Sequence, residues 1–292
     1  MINTKYSIFL LFLLIACNPN KKQATVFLET AQKLYEQGEY APAKSNLDSI
    51  KIRFPQEFDI QKKSLKLKRQ IEIKENEQNL IFCDSMLPLR LAQAETMKSG
   101  FLYEKDTVYD DEGKYIDKSQ RLETKLQSSY IRTNVTESGE ILFSSVYYGS
   151  HPLQHSRLRV SKATGEFAET QNIPYDGGLN YSFVDGGMTT EVVTYTKGKD
   201  DGVIQFIYNN KDSVLKAEFL GKGKYAFAIS ADDKNVLAKI YDFSVILSDI
   251  DKLKKEKEKS SKRLEYLKGK LALLGSPNAK NCNPISISCL SG

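Results

Sequence analysis

The sequence predicts an α+β protein. An N-terminal helical hairpin and long helices form a stalk with the C-terminal helix, and an antiparallel β-domain, a sandwich or partial barrel, is inserted between them. Three patterns carry this reading. Apolar residues recur at helical spacing from residue 24 to about 98. Residues 101–230 change to short alternating runs rich in Val, Ile, Thr, Tyr and Phe, punctuated by Gly and Asn. A heptad seam then runs from Ile246 to Leu274.

In chain order, residues 24–37 place Phe27, Leu28, Ala31, Leu34 and Tyr35 on one helical face, with Gly38 as the stop. Residues 40–53 align Ala43, Leu47, Ile50 and Ile52 in a second helix, ended by Phe54-Pro55. A longer helix is expected from Phe58 to Lys98, with Ile60, Leu67 and Ile71 as its seam and Pro88 kinking or breaking it. Cys83 sits in this pattern as a small core residue. The helical region therefore spans 24–100.

The β-domain spans 101–230. Strands are expected at 129–135, 140–148, 156–161, 179–185, 189–196, 203–209, 213–220 and 224–230. The last three alternate most clearly: Ile204, Phe206, Tyr208; then Leu215, Ala217, Phe219; then Tyr225, Phe227, Ile229. Asn209-Asn210 and Gly221-Lys222-Gly223 supply turns. A coiled-coil-like helix follows over 231–274, with Ser230 as N-cap and Asp233 three residues on. Lys257 and Ser260 interrupt its seam. A helix this long needs a partner, either the helix at 58–87 of the same chain or the equivalent helix of a second copy in a homodimer through 246–274. Residues 275–292 read as a disordered tail.

The leader carries Lys5 and then an apolar run from Ile8 to Ile15, too short for the ~20 residues a bilayer requires, so it reads as a signal peptide over 1–16. Leu14-Ile15-Ala16-Cys17 resembles the lipobox of bacterial lipoproteins. The resemblance implies cleavage before Cys17, acylation of that cysteine, and a periplasm-facing protein anchored in lipid at the cell membrane or outer membrane. Asn18, in place of the aspartate that retains many such proteins at the inner membrane, favours the outer membrane. Two or more acyl chains hold a protein stably. Residues 17–23 form a polar tether whose Lys21 and Lys22 can meet anionic headgroups, at about 1 kcal/mol each. Further along, Leu34-Tyr35-x-x-Gly38-x-Tyr40-x-x-Ala43, with Ala31 and Pro55, resembles one tetratricopeptide unit. No second copy follows, so this unit must bury its face on other parts of the chain.

The 292-residue chain carries 42 Lys+Arg against 37 Asp+Glu. So weak and dispersed a surplus argues against nucleic acid. Trp is absent, which weakens a sugar-stacking platform without removing it, because Tyr can serve. Cys282 and Cys289 either close a small disulfide loop or remain two free thiols.

Catalytic signatures are sparse. His151 and His155 are four apart, but Pro152 and the strand-like residues that follow argue for a loop or strand-edge pair over a helical metal site. Asp106, Asp110, Asp111, Glu112 and Asp117 lack the alternation of a calcium loop and fit a hairpin turn between 107–109 and 114–116. Gly-x-Ser-x-Gly is absent, and Ser213-x-x-Lys216 falls on an expected strand. Gly177-Gly178 and Gly186-Gly187 bracket a strand and fit turns. Arg157 and Arg159 alternate on one strand, guarding an edge or meeting anions.

The expectation is a membrane-anchored, non-enzymatic lipoprotein that binds an envelope protein partner or acts as a scaffold, with no cofactor. Its partner would meet the face at Tyr35, Glu39 and Tyr40, then the loops at 149–157, which hold His151, His155 and Arg157, and at 174–188. The alternative is a β-domain that binds or hydrolyses an envelope glycan or lipid, using acids such as Asp176, Asp185 and Glu191.

Overall fold

The computed structural model describes residues 19–108, 111–120 and 127–275. The leader with Cys17, Tyr109-Asp110, and the tail with Cys282 and Cys289 lie outside the described residues. The chain forms two compact units. One combines the region up to Phe82 with the region from Lys257 onward, and the other is Cys83–Glu256.

The first unit holds α1 (Pro19–Glu36), α2 (Tyr40–Arg53) and the start of α3 (Phe58–Lys98). α1 starts at Pro19, so residues 19–23, expected as tether, are helical. Gly38 ends the α1 turn at φ +79°, with its N–H on the Tyr35 carbonyl and the Glu39 N–H on that of Leu34. That pairing is a Schellman cap, and it needs the left-handed residue that glycine supplies. Ala24, Ala31 and Ala43 let α1 and α2 approach closely over Leu47, Ile50, Leu67 and Ile71.

The end of α5 (Ala231–Gly275) runs antiparallel to α3 within this unit. Arg69 donates to the Lys270 carbonyl, Glu72 pairs with Arg263 at 2.6 Å, and Asn79 donates to Ser260 Oγ at 2.9 Å. Partner numbers fall on α5 as they rise on α3. Ser260, the break in the heptad, is buried against Asn79, and such a polar pair fixes register. The long helix therefore has its partner within the chain. Pro88 does not end α3, which continues to Lys98.

The second unit is built on two antiparallel sheets. The strands are β1 (Phe101–Glu104), β2 (Lys114–Asp117), β3 (Tyr130–Thr136), β4 (Ile141–Gly149), β5 (Arg157–Lys162), β6 (Phe167–Glu169), β7 (Asn180–Asp185), β8 (Met188–Tyr195), β9 (Leu215–Leu220) and β10 (Lys224–Ala228). The six-stranded sheet has the order β1-β2-β3-β4-β8-β7, and the four-stranded sheet β10-β9-β5-β6. Phe143, Tyr147, Val193 and Tyr195 of the first meet Leu158, Val160, Ala217 and Phe219 of the second in one core, so the β-domain is a sandwich. Phe101, Tyr115 and Val135 on the same face of the large sheet pack instead on Val236, Ile240 and Phe243 of α5.

Three expectations are corrected. Residues 203–209 are not a strand but α4 (Val203–Asn209). Its buried residues Val203, Ile204 and Ile207 follow helical spacing, and Gly202 at φ +85° precedes it. Over seven residues, alternation and helical periodicity overlap. Thr107-Val108 form a turn rather than a strand, because Phe101–Glu104 takes the partner role opposite Lys114–Asp117. β5 is not an edge strand, since β9 and β6 flank it. Ser230 Oγ accepts the Asp233 N–H at 3.0 Å, as its N-cap position predicts. Ser230→Ala should cost about 1 kcal/mol in chemical denaturation, the usual loss for such a cap.

Candidate functional site

The residues singled out from the sequence scatter over different roles. Tyr35 and Tyr40 pack ring to ring at 6.1 Å, half-buried on the helical core, with Glu39 exposed beside them. His151 is exposed on the β4–β5 loop, where its Nδ1 meets Ser150 Oγ at 2.9 Å. Arg157 and Arg159 both grip Glu169. Asp176 is exposed and accepts the Gly178 and Asn180 N–H groups of its own turn. Asp185 is exposed at the far end of β7, opposite Met188. These two acids do not converge with Glu191. Among the described residues, no group of three or more His, Cys, Asp or Glu is placed to hold a metal.

His155 is corrected most sharply. Offered as a surface contact, it is 1% exposed and lies inside the sandwich, stacked on the Phe219 ring at 4.9 Å. Its Nδ1 meets Glu191 Oε2 at 2.7 Å and its Nε2 meets Ser145 Oγ at 2.9 Å. Ser145 Oγ also meets the Tyr195 hydroxyl at 3.2 Å. Glu191 accepts two further bonds, from the backbone N–H groups of Gln154 and His155. The order serine, imidazole, carboxylate is that of hydrolytic triads. Ser145, however, has no exposed surface, and its hydroxyl is held from both sides. Burial pushes the Tyr195 hydroxyl up to about 12, with bonds to Ser145 and Thr170 opposing. A cleft of about 460 Å³ between Pro152, Tyr175, Asn180 and Ser182 reaches His155 and Glu191, but not Ser145. The network pins the β4–β5 loop into the core. A fluorophosphonate probe should leave Ser145 unlabelled; a mass shift on its peptide would establish an accessible nucleophile.

The opposite face of the six-stranded sheet carries a groove of about 670 Å³. Strand register builds it in rows. Leu102, Ile116, Asn134 and Leu142 lie across β1 to β4, and Arg132, Ser144 and Thr194 across β3, β4 and β8. Tyr181 lines it from β7. Where β2 bends away into the short turn Lys118–Gln120, the Gln120 side chain continues the ladder. Its amide donates to the Ile131 carbonyl and accepts the Thr133 N–H.

The groove floor is polar but not fully paired. Ser144 and Thr194 hydroxyls meet at 2.9 Å. Asn134 is 8% exposed, and its carboxamide oxygen is buried with no hydrogen-bond partner among the described residues. Native interiors satisfy nearly all such atoms, and the exceptions call for an explanation. Arg132, two residues along the same face, is partly buried. Sequence reasoning missed both. Alternation places Arg132 and Asn134 on one face of β3, but a polar face of a strand reads as solvent-facing unless the neighbouring strands are known. Comparison of the chain with known protein families, with characterised proteins and with solved structures returned no match.

Proposed function

We propose that this protein is a lipid-anchored, non-enzymatic binding protein of the cell envelope, and that the groove on the six-stranded sheet is its ligand site. One observation carries the reading: a large groove whose floor holds a buried carboxamide oxygen with no partner among the described residues. Concave sites with a few convergent polar groups are where small ligands bind. The closed Ser145–His155–Glu191 network favours a structural role for the triad-like residues. The packing of Tyr35 against Tyr40 favours a structural role for the tetratricopeptide-like hairpin as well.

Thr194→Trp tests the site. Thr194 is half-buried on a strand that tolerates aromatics, and an indole there fills the groove. Native mass spectrometry of the detergent-solubilised protein, equilibrated with fractionated envelope glycans and lipids, should show a small-molecule adduct on the wild type that Thr194→Trp loses. An adduct unaffected by the substitution places binding elsewhere. The anchor is tested separately: a palmitate analogue fed to cells should label the wild type and not Cys17→Ser.

A further inference from the structure

We propose that the groove takes an anionic sugar, a single ring carrying a carboxylate or phosphate beside hydroxyls. This rests on the groove being a ligand site and names the chemistry of its ligand.

Charge is the first argument. The other described arginines are all engaged. Arg53 lies over the Phe27 ring, Arg69 donates to the Lys270 carbonyl, Arg90 pairs with Asp249, Arg157 and Arg159 hold Glu169, and Arg263 pairs with Glu72. Arg132 has no ion pair, hydrogen bond or ring contact among the described residues, although it is partly buried on a central strand of the large sheet. An unpaired guanidinium lining a groove is available to an incoming anion. Glu104, the acid lining the groove, is drawn to Lys114 at 3.8 Å. Among the described residues none supplies a counter-charge to Arg132, which leaves that role to an anionic ligand, and the planar fork of arginine matches carboxylate and phosphate geometry.

Asn134 is the second argument, and it is independent of the first. Its buried oxygen accepts nothing from the described residues, so it calls for an O–H or N–H donor. Two residues along a strand, it sits about 7 Å from Arg132. A bare anion reaches only the arginine, and a neutral polyol satisfies only the amide. A charged hexose ring is the right size to engage both, with the hydroxyls of Ser144 and Thr194 beside the acid and the Tyr181 ring to cover an apolar face.

Isothermal titration of the whole protein in detergent, at low ionic strength, tests this with glucuronate, glucose 6-phosphate, glucose and inorganic phosphate. The two charged sugars should bind saturably and glucose should not. Whichever charged sugar binds more tightly identifies a carboxylate or a phosphate source. Arg132→Gln should weaken charged-sugar binding about tenfold or more. It should melt no lower than the wild type, since no partner is lost. Asn134→Leu should bring glucose 6-phosphate down toward inorganic phosphate. Glucose binding as well as glucuronate, or charged-sugar affinity unchanged in Arg132→Gln, overturns the proposal. A neutral ligand lost in Thr194→Trp but kept in Arg132→Gln would preserve the groove reading and sink the anionic sugar. The absence of any binding that Thr194→Trp removes would sink both.

Discussion

Glu191→Ala is expected to destabilise the β-domain by about 3–5 kcal/mol, the cost of removing one partner from a buried pair. Three donors lose their acceptor at once: His155 Nδ1 and the backbone N–H groups of Gln154 and His155. The imidazole cannot turn away to find another, because it is stacked on Phe219 and held at its other nitrogen by Ser145. The same geometry gives a pH signature. Burial raises the Glu191 carboxyl, but the bonds from the His155 side chain and from the two backbone N–H groups, aided by imidazole charge, outweigh it. They hold the group below the ordinary glutamate value of 4.5. A carboxyl depressed on folding contributes stability that is fully present above its unfolded value and lost as pH falls through its folded one. Urea midpoints measured from pH 7 down to pH 3 should therefore drop in the wild type below about pH 4.5, the ordinary value. They should drop less in Glu191→Gln, which starts lower and has no carboxylate to protonate. Parallel curves for the two proteins would remove Glu191 from the acid response.

Gly139→Ala is the second large effect. Gly139 turns the chain between β3 and β4 at φ +90°. An added Cβ would lie 2.4 Å from Ser248 Oγ, 2.5 Å from Ser248 N and 2.6 Å from the Ser244 carbonyl. Two of these are backbone atoms of α5, so relief requires moving the helix rather than one side chain. The left-handed conformation costs an L-residue about 1–2 kcal/mol, and forced packing about 1–3 kcal/mol more. Gly165 separates the two contributions. It has φ +95° but nothing within 4 Å of its added Cβ. In thermal denaturation Gly165→Ala should show the conformational cost alone. Equal losses for the two variants would mean that the α5 contact is soft.

Helices were legible in the sequence wherever apolar spacing extended over several turns. The bounds of α2 and α3 follow from Tyr40, Phe54-Pro55 and Gly100, because caps and breakers act locally. Strands were legible where alternation met turn chemistry, as in β9 and β10 around Gly221 and Gly223. α4 was not, since seven residues fit both periods. β1 and β6 were missed because strands of four and three residues carry too little alternation. The site was the least legible part. Nothing near His155 in sequence announces Ser145, Glu191 or Phe219, which converge only through sheet pairing. Arg132 and Asn134 became notable through what they lack, and a missing partner is a property of the assembled face.

The helical unit is assembled from both ends of the chain, and that gives the protein a timetable. Glu72 and Arg263 are 191 residues apart in sequence. During synthesis from the amino end, α1, α2 and the start of α3 emerge long before the segment that completes them. Bringing such distant segments together carries a loop-closure entropy that grows with the logarithm of the intervening length. Prior folding of Cys83–Glu256 replaces most of that floppy length with a structured body and shortens the effective loop. The sandwich thus acts as a splint for the later pairing of α3 with α5. A lesion in its core would delay the maturation of the helical unit and lengthen the period in which the apolar faces of α1–α3 stand open to aggregation.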